Sequence, residues 1–170
     1  MLVSALVSYL LGILVTAVGL QFLHAGASKL RACSKVRDLR SPGAALALVV
    51  ATAEILGGAG LVIGSPVGSA IVVILIMVTT AAALIRAAEL DNPYVDPADA
   101  PEVTELSLPA VVRNFVQAFL AVIAVIYPVT TGSIVVLTCA LAVFLLYLGV
   151  EAVRTRWLAL HDEGAAPPAL

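Results

Sequence analysis

The chain of 170 residues is 62% hydrophobic and only 12% charged, with a mean hydropathy of +1.12 and a formal net charge of −2. A soluble domain carries about 25% charged residues, so this composition excludes an ordinary water-soluble globule, a disordered chain and a nucleic-acid binder, and points to a protein embedded in a lipid bilayer. With 9 Lys plus Arg against 11 Asp plus Glu there is no global pull toward DNA or anionic lipid, and the position of each charge carries the information.

A membrane-crossing helix needs about 20 mostly apolar residues. Five stretches qualify, at 3–24, 43–63, 67–85, 109–127 and 132–150. Runs such as Ala70 to Met77 lack the period-two alternation of a barrel strand. The expected fold is therefore all-α, a single transmembrane helical bundle of five helices over residues 1–160. Ala25-Gly26-Ala27 has the form of a signal-peptide cleavage site, but no basic region precedes the first segment. Its apolar run also exceeds the usual length, so it is read as a retained helix.

Loops rich in Lys and Arg stay in the cytoplasm. Lys29, Arg31, Lys35, Arg37 and Arg40 fall between the first two spans, Arg86 follows the third, Arg113 opens the fourth, and Arg154 and Arg156 follow the fifth. Threading five helices places all of them on one side, whereas the opposite turns, Gly64-Ser65-Pro66 and Pro128 to Thr131, carry no charge. The N-terminus is thus expected outside and the C-terminus inside. The short outer turns imply that helices two and three, and four and five, form antiparallel hairpins. Tyr127 and Trp157 are expected as interfacial anchors at opposite ends.

The longest loop, 87–108, holds Glu89, Asp91, Asp96, Asp99, Glu102 and Glu105, with Pro93, Pro97 and Pro101 at every fourth position. That proline spacing blocks a regular helix, and carboxylates without a cation keep the segment solvated. These acids are candidates for docking a basic cytoplasmic partner or the basic loop beside them. They lack the alternating pattern of a calcium loop, so no metal is expected. Residues 161–170, with Pro167-Pro168, read as a disordered tail. Cys33 and Cys139 form neither a Cys-x-x-Cys nor a Cys/His cluster and read as small apolar residues, although a bridge between them stays open.

Glu54 is the strongest single signal. It stands mid-span, roughly 16 Å from the inner end at 1.5 Å per residue, where an ionised carboxylate costs on the order of 3 kcal/mol. It must be neutral, paired or turned inward. Depth arithmetic places Gln21, Thr79 or Thr80, and Gln117 in a polar layer just below it. Gln117 is the expected hydrogen-bond partner, and Arg113 a longer-range counter-charge. Gln21, His24, Ser28 and Arg31 recur on one face of the first helix, and Arg113 and Gln117 are i, i+4 with Asn114 beside them. Such groups either join helices by hydrogen bonds or form a proton-, quinone- or solute-handling site. Gly57, Gly60 and Gly64 are expected to bring a neighbouring helix close. His24 has no inward-facing second histidine, so haem is not expected.

The stretch Gly26-Ala-Ser-Lys29-Leu30, followed by Glu54-Ile-Leu-Gly57-Gly58-Ala-Gly-Leu61-Val-Ile-Gly64, resembles the DoxX-like superfamily, which includes the MauE-type proteins. The likeness covers roughly residues 10–90, and Gly26, Lys29, Glu54, Gly57, Gly58 and Gly64 carry it. It implies a small multi-pass protein of the prokaryotic plasma membrane, linked in its relatives to redox work. A fifth span and the acidic proline loop depart from the family's four-helix plan. The leading expectation is a membrane subunit or anchor of a redox-associated complex, without a catalytic centre of its own, associated with other membrane or cytoplasmic subunits or with copies of itself. The alternative is a quinone-binding oxidoreductase subunit in which Glu54 carries the proton, Gln117 or Gln21 bonds a quinone carbonyl, and Arg113 or Lys29 stabilises the anion. A small-solute transporter is a third, against which stand the absence of a clear repeat and of a helix broken at mid-depth.

Overall fold

The computed structural model describes residues 2–33, 42–90, 108–127 and 129–163. Among them the chain is entirely helical, in five elements: α1 (Leu2–Cys33), α2 (Pro42–Val62), α3 (Pro66–Leu90), α4 (Leu108–Ile126) and α5 (Ile134–Glu163). Three contain stretches long and apolar enough to cross a membrane, Val3–Cys33, Ala45–Val62 and Ile134–Arg154. The apolar stretches of α3 and α4, Pro66–Ala82 and Val111–Ile126, are shorter.

Helix boundaries follow local chemistry. Pro42 and Pro66 open α2 and α3, where a missing N–H costs nothing. After Val62 the chain turns at Gly64, whose φ of +73° an L side chain rarely adopts. The Gly64 N–H bonds to the Leu61 carbonyl at 3.1 Å and the Ser65 N–H to the Gly60 carbonyl at 2.7 Å. This pair of bonds is a Schellman cap. Gly64 is therefore a turn residue, and it also allows a close approach, since a Cβ there would run into the Thr131 hydroxyl.

Several helices outrun the apolar spans. α1 continues through Lys29 and Arg31, so these two cations are helical and do not belong to the following loop. Lys35, Arg37 and Arg40 lie outside the described residues. α3 runs on past Arg86 and Glu89 to Leu90, and α5 past Arg154, Arg156 and His161 to Glu163. Backbone hydrogen bonding continues a helix into its polar flank, whereas a hydropathy window stops at the last apolar residue. The acidic loop from Asp91 to Glu105 and the tail beyond Glu163 also lie outside the described residues.

α1 is the central element. Val15, Thr16, Ala17, Val18 and Gly19 are buried in succession, so α1 is enclosed along this stretch, while Leu6, Leu10 and Leu14 nearer its start are exposed. It packs on α2, α5 and α4, while α3 bridges α2 and α4. Val15 and Val18 meet Leu61, Val72, Ile76 and Ala121 in one cluster drawn from α1 to α4. The α1–α2 contact is backbone to backbone. A Cβ on Gly58 would stand 2.6 Å from the Gly19 carbonyl oxygen, and one on Gly26 would stand 2.7 Å from that of Ala51. Gly57 and Gly60 face α3 instead, against Val72 and Gly68.

Helices α2 and α3 form the expected hairpin, but α4 and α5 make little direct contact with each other. α4 lies on α3 and α1, and α5 chiefly on α1, with Val136, Ala140 and Phe144 buried. Ser8 fixes the α4–α5 connection to α1, sharing a 3.0 Å hydrogen bond with the Thr130 hydroxyl and accepting the Thr130 N–H at 3.2 Å. The remaining surfaces of α2 to α5 are apolar and exposed, as at Leu46, Ile63, Met77, Phe115 and Leu146. Such a coat suits lipid chains rather than water. Tyr127 and Trp157 are both exposed.

Candidate functional site

The divergence of α4 from α5 leaves a cavity of about 510 Å³ over the C-terminal half of α1. Its walls include Glu54, Lys29, Gln21, His24, Arg113 and Gln117, which are all six candidates expected from the sequence. The contributions come from every helix: α1 supplies the floor, α2 offers Glu54, α3 adds Leu75, Ile76 and Thr79, and α4 and α5 form the two sides. The volume falls within the range of about 300–1,000 Å³ typical of small-molecule sites.

Glu54 is buried, at 7% exposure. Its partner is neither Gln117 nor Arg113. The Lys29 ammonium donates to Glu54 Oε1, and the two form an ion pair between α1 and α2. The cause is the glycine contact one turn away: Gly26 lets α1 approach so closely that its Cβ position lies 3.2 Å from that of Glu54. Lys29, three residues on and on the same helix face, then reaches the carboxylate. α1 continues past Lys29 to Cys33, so Lys29 is held on the helix within reach of Glu54 rather than in the following loop. The second carboxylate oxygen, Oε2, is buried and has no hydrogen-bond partner among the described residues.

Gln117, also buried, donates through Nε2 to Gln21 Oε1 at 2.6 Å, joining α4 to α1. Arg113 donates through Nη1 to the Tyr147 hydroxyl at 3.2 Å and spans the cleft between α4 and α5. Asn114 Nδ2 donates to Thr80 Oγ1 at 3.5 Å. His24 meets the Phe144 ring edge-on, with centroids 5.8 Å apart and planes at 63°. The polar stripe expected on α1 therefore divides: Gln21 and His24 face the cavity, while Ser28 and Arg31 are exposed.

Sequence reasoning missed the α5 wall. Phe144, Tyr147, Leu148 and Glu151 line the cavity, and their i, i+3, i+4, i+7 spacing is the signal of one helix face. The apolar span ends at Val150 and leaves Glu151 outside it, which hides that face. Phe22, Phe144 and Tyr147 together give the site aromatic walls. Among the described residues no three His, Cys, Asp or Glu side chains converge as metal ligands. Cys33 is buried and Cys139 exposed, both as free thiols.

Chemically, the arrangement is a mixed chamber. Aromatic and aliphatic walls suit a flat apolar ring, and two carboxylates (Glu54 and Glu151), two cations (Lys29 and Arg113) and three amides (Gln21, Asn114 and Gln117) supply polar groups around it. Comparison with family models, with curated proteins and with solved structures returned no match for this chain.

Proposed function

We propose that this chain is a DoxX-like multi-pass subunit of a redox-associated assembly in the prokaryotic plasma membrane, and that its own contribution is a site for a quinone headgroup. The observation that carries this reading is the cavity of about 510 Å³ beside Glu54, flanked by aromatic rings and bordered by Gln21, Gln117 and Arg113. The polar groups pair across helices, Lys29 with Glu54, Gln117 with Gln21 and Arg113 with Tyr147, and they also border open volume, which a role in joining helices does not require. In this reading all five helices span the bilayer, with the N-terminus outside, and the gap between α4 and α5 admits the ligand from the lipid. The acids from Glu89 to Glu105 then face the cytoplasm as a dock for a soluble basic subunit.

Within the site, Phe22, Phe144 and Tyr147 would hold the ring, Gln21 or Gln117 would bond one oxygen, and Glu54 would exchange the proton that accompanies a change of redox state. Arg113 or Lys29 would stabilise an anionic form. Transport of a small solute is the weaker reading, since each of the five helices runs unbroken and presents no half-helix end at mid-depth.

The test is extraction of the protein with its surrounding lipid in polymer-bounded native discs, followed by mass spectrometry of bound lipophiles. Quinone enriched over the bulk membrane, and lost in a Phe144→Ala variant that retains its helical content, is the expected result. Quinone at the bulk membrane ratio in the unaltered protein would overturn the reading.

A further inference from the structure

His24 is the one polar side chain on the cavity wall with no hydrogen bond or ion pair among the described residues. Lys29 bonds to Glu54, Gln117 to Gln21, Arg113 to Tyr147 and Asn114 to Thr80, while Thr79 bonds to carbonyls of its own helix. Glu151 has a partner as well. The imidazole has only its edge-on contact with the Phe144 ring, which seats it between α1 and α5. His24 is exposed, and it lies within Val3–Cys33, the stretch of α1 long and apolar enough to cross a membrane. Lipid chains offer nothing to an imidazole N–H or to its bare nitrogen, so an open ring there calls for a polar occupant of the cavity.

Charge narrows the kind of occupant. Lys29, Arg113, Glu54 and Glu151 line the same volume, two cations and two carboxylates, so with a neutral imidazole the wall is formally balanced. A neutral ligand keeps that balance, whereas a charged one brings an unopposed charge into a medium poorer than water. Hydrogen-bonding capacity narrows it further. Neutral imidazole donates through one nitrogen and accepts through the other, and the tautomer follows whichever bond forms. It therefore serves a ring carbonyl as donor and a ring hydroxyl as acceptor, which neither an ammonium nor a carboxylate can do alone. His24 follows Gln21 by one turn on the same face of α1, so two polar groups are spaced along one wall.

We infer that His24 holds the second oxygen of the ring whose first oxygen meets Gln21 or Gln117, the imidazole donating to a carbonyl and accepting from a hydroxyl. This rests on the quinone-site reading above and adds a ligand contact that it leaves unassigned. A hydrogen bond of this kind changes affinity severalfold, up to about tenfold.

The experiment uses the small number of imidazoles. The chain has two histidines, His24 and His161 near the end of α5, so nitrogen-isotope labelling of histidine alone gives two ring signals, which a His161→Gln variant tells apart. Titrating the purified full-length chain in lipid nanodiscs with decyl-benzoquinone should shift the ring-nitrogen resonances of His24. Decylbenzene, with the same ring and tail but no oxygens, should shift them far less. In parallel, His24→Phe keeps an aromatic ring against Phe144 and removes both nitrogens. Its affinity for decyl-benzoquinone, per mole of lipid, should fall severalfold to about tenfold, and its affinity for decylbenzene should not fall. Quinone binding without a shift at His24, or an equal loss of both probes in His24→Phe, overturns the inference and leaves the quinone site standing, since another group then holds the oxygen and only water meets the imidazole. Uptake of the quinone no greater than its partition into empty nanodiscs removes the site and the inference together. The resonance is read on the unaltered His24, so it decides the question whether or not His24→Phe folds.

Discussion

Glu54 on α2 takes the Lys29 ammonium of α1 on one carboxylate oxygen and keeps the other buried without a partner among the described residues. The pair is asymmetric in its surroundings as well: the Lys29 side chain is 44% exposed and that of Glu54 only 9%. Removing the cation thus strands a charge that cannot easily be rehydrated.

Lys29→Met should lower stability by about 1–3 kcal/mol, between the values for exposed and fully buried pairs. Replacing both partners, as Lys29→Met with Glu54→Leu, should recover most of that loss, because no buried charge remains. Thermal unfolding of the detergent-solubilised variants, arranged as a double-mutant cycle, measures it. Equal losses in the single and double variants would show that the pair contributes nothing as a pair.

The α1–α2 interface depends on missing side chains. Gly58→Ala sets a Cβ at 2.6 Å from the Gly19 carbonyl oxygen, and the helices must part to admit it. The expected cost is about 1–3 kcal/mol. Gly149 has nothing within 4 Å of its Cβ position, so Gly149→Ala should leave stability unchanged or slightly raised. The same unfolding assay compares them.

The Gln117 to Gln21 bond joins α4 to α1 at the cavity's edge. Interhelical hydrogen bonds in membranes average about 0.6 kcal/mol, so Gln21→Leu should change stability little. If these amides bond a ligand oxygen, quinone occupancy in native discs should fall several-fold all the same. A purely structural role predicts unaltered occupancy.

Orientation is open to labelling. With Cys33 and Cys139 replaced, a single cysteine at Ser65 should react with an impermeant maleimide from outside the cell. One at Ser34 should react only after the membrane is opened. The reverse pattern would invert the proposed topology.

The docking role predicts that replacing the acids between Glu89 and Glu105 by their amides removes a soluble basic protein from those that co-purify with the chain. An unchanged partner set would exclude this segment as the dock.

Much of the architecture could be read from the sequence because it follows from local rules. The helices rise from apolar runs, and Pro66 and Gly64-Ser65 mark a start and a stop that need no tertiary information. Glu54 and Arg113 drew notice as charges in apolar surroundings, which is a property of composition. Pairing was not legible in the same way. Hydropathy stops short of the helix end and so assigns Lys29 to a loop, and depth arithmetic points to a Glu54 partner in the polar layer below it rather than across the closest backbone contact. A signal for that contact is present in Gly19 and Gly26, seven apart on one face of α1, both of which meet α2.

The sequence by itself determined that the chain is helical and apolar-coated, where its turns fall, and which polar side chains are costly enough to require an explanation. Tertiary structure alone decided that these side chains meet: α4 and α5 separate, α1 and α2 touch through glycine, and a chamber opens that Glu54 and the other polar candidates line. The reason is physical. Helix formation depends on neighbours a few residues apart, whereas an ion pair or a cavity depends on how closely backbones distant in sequence can approach.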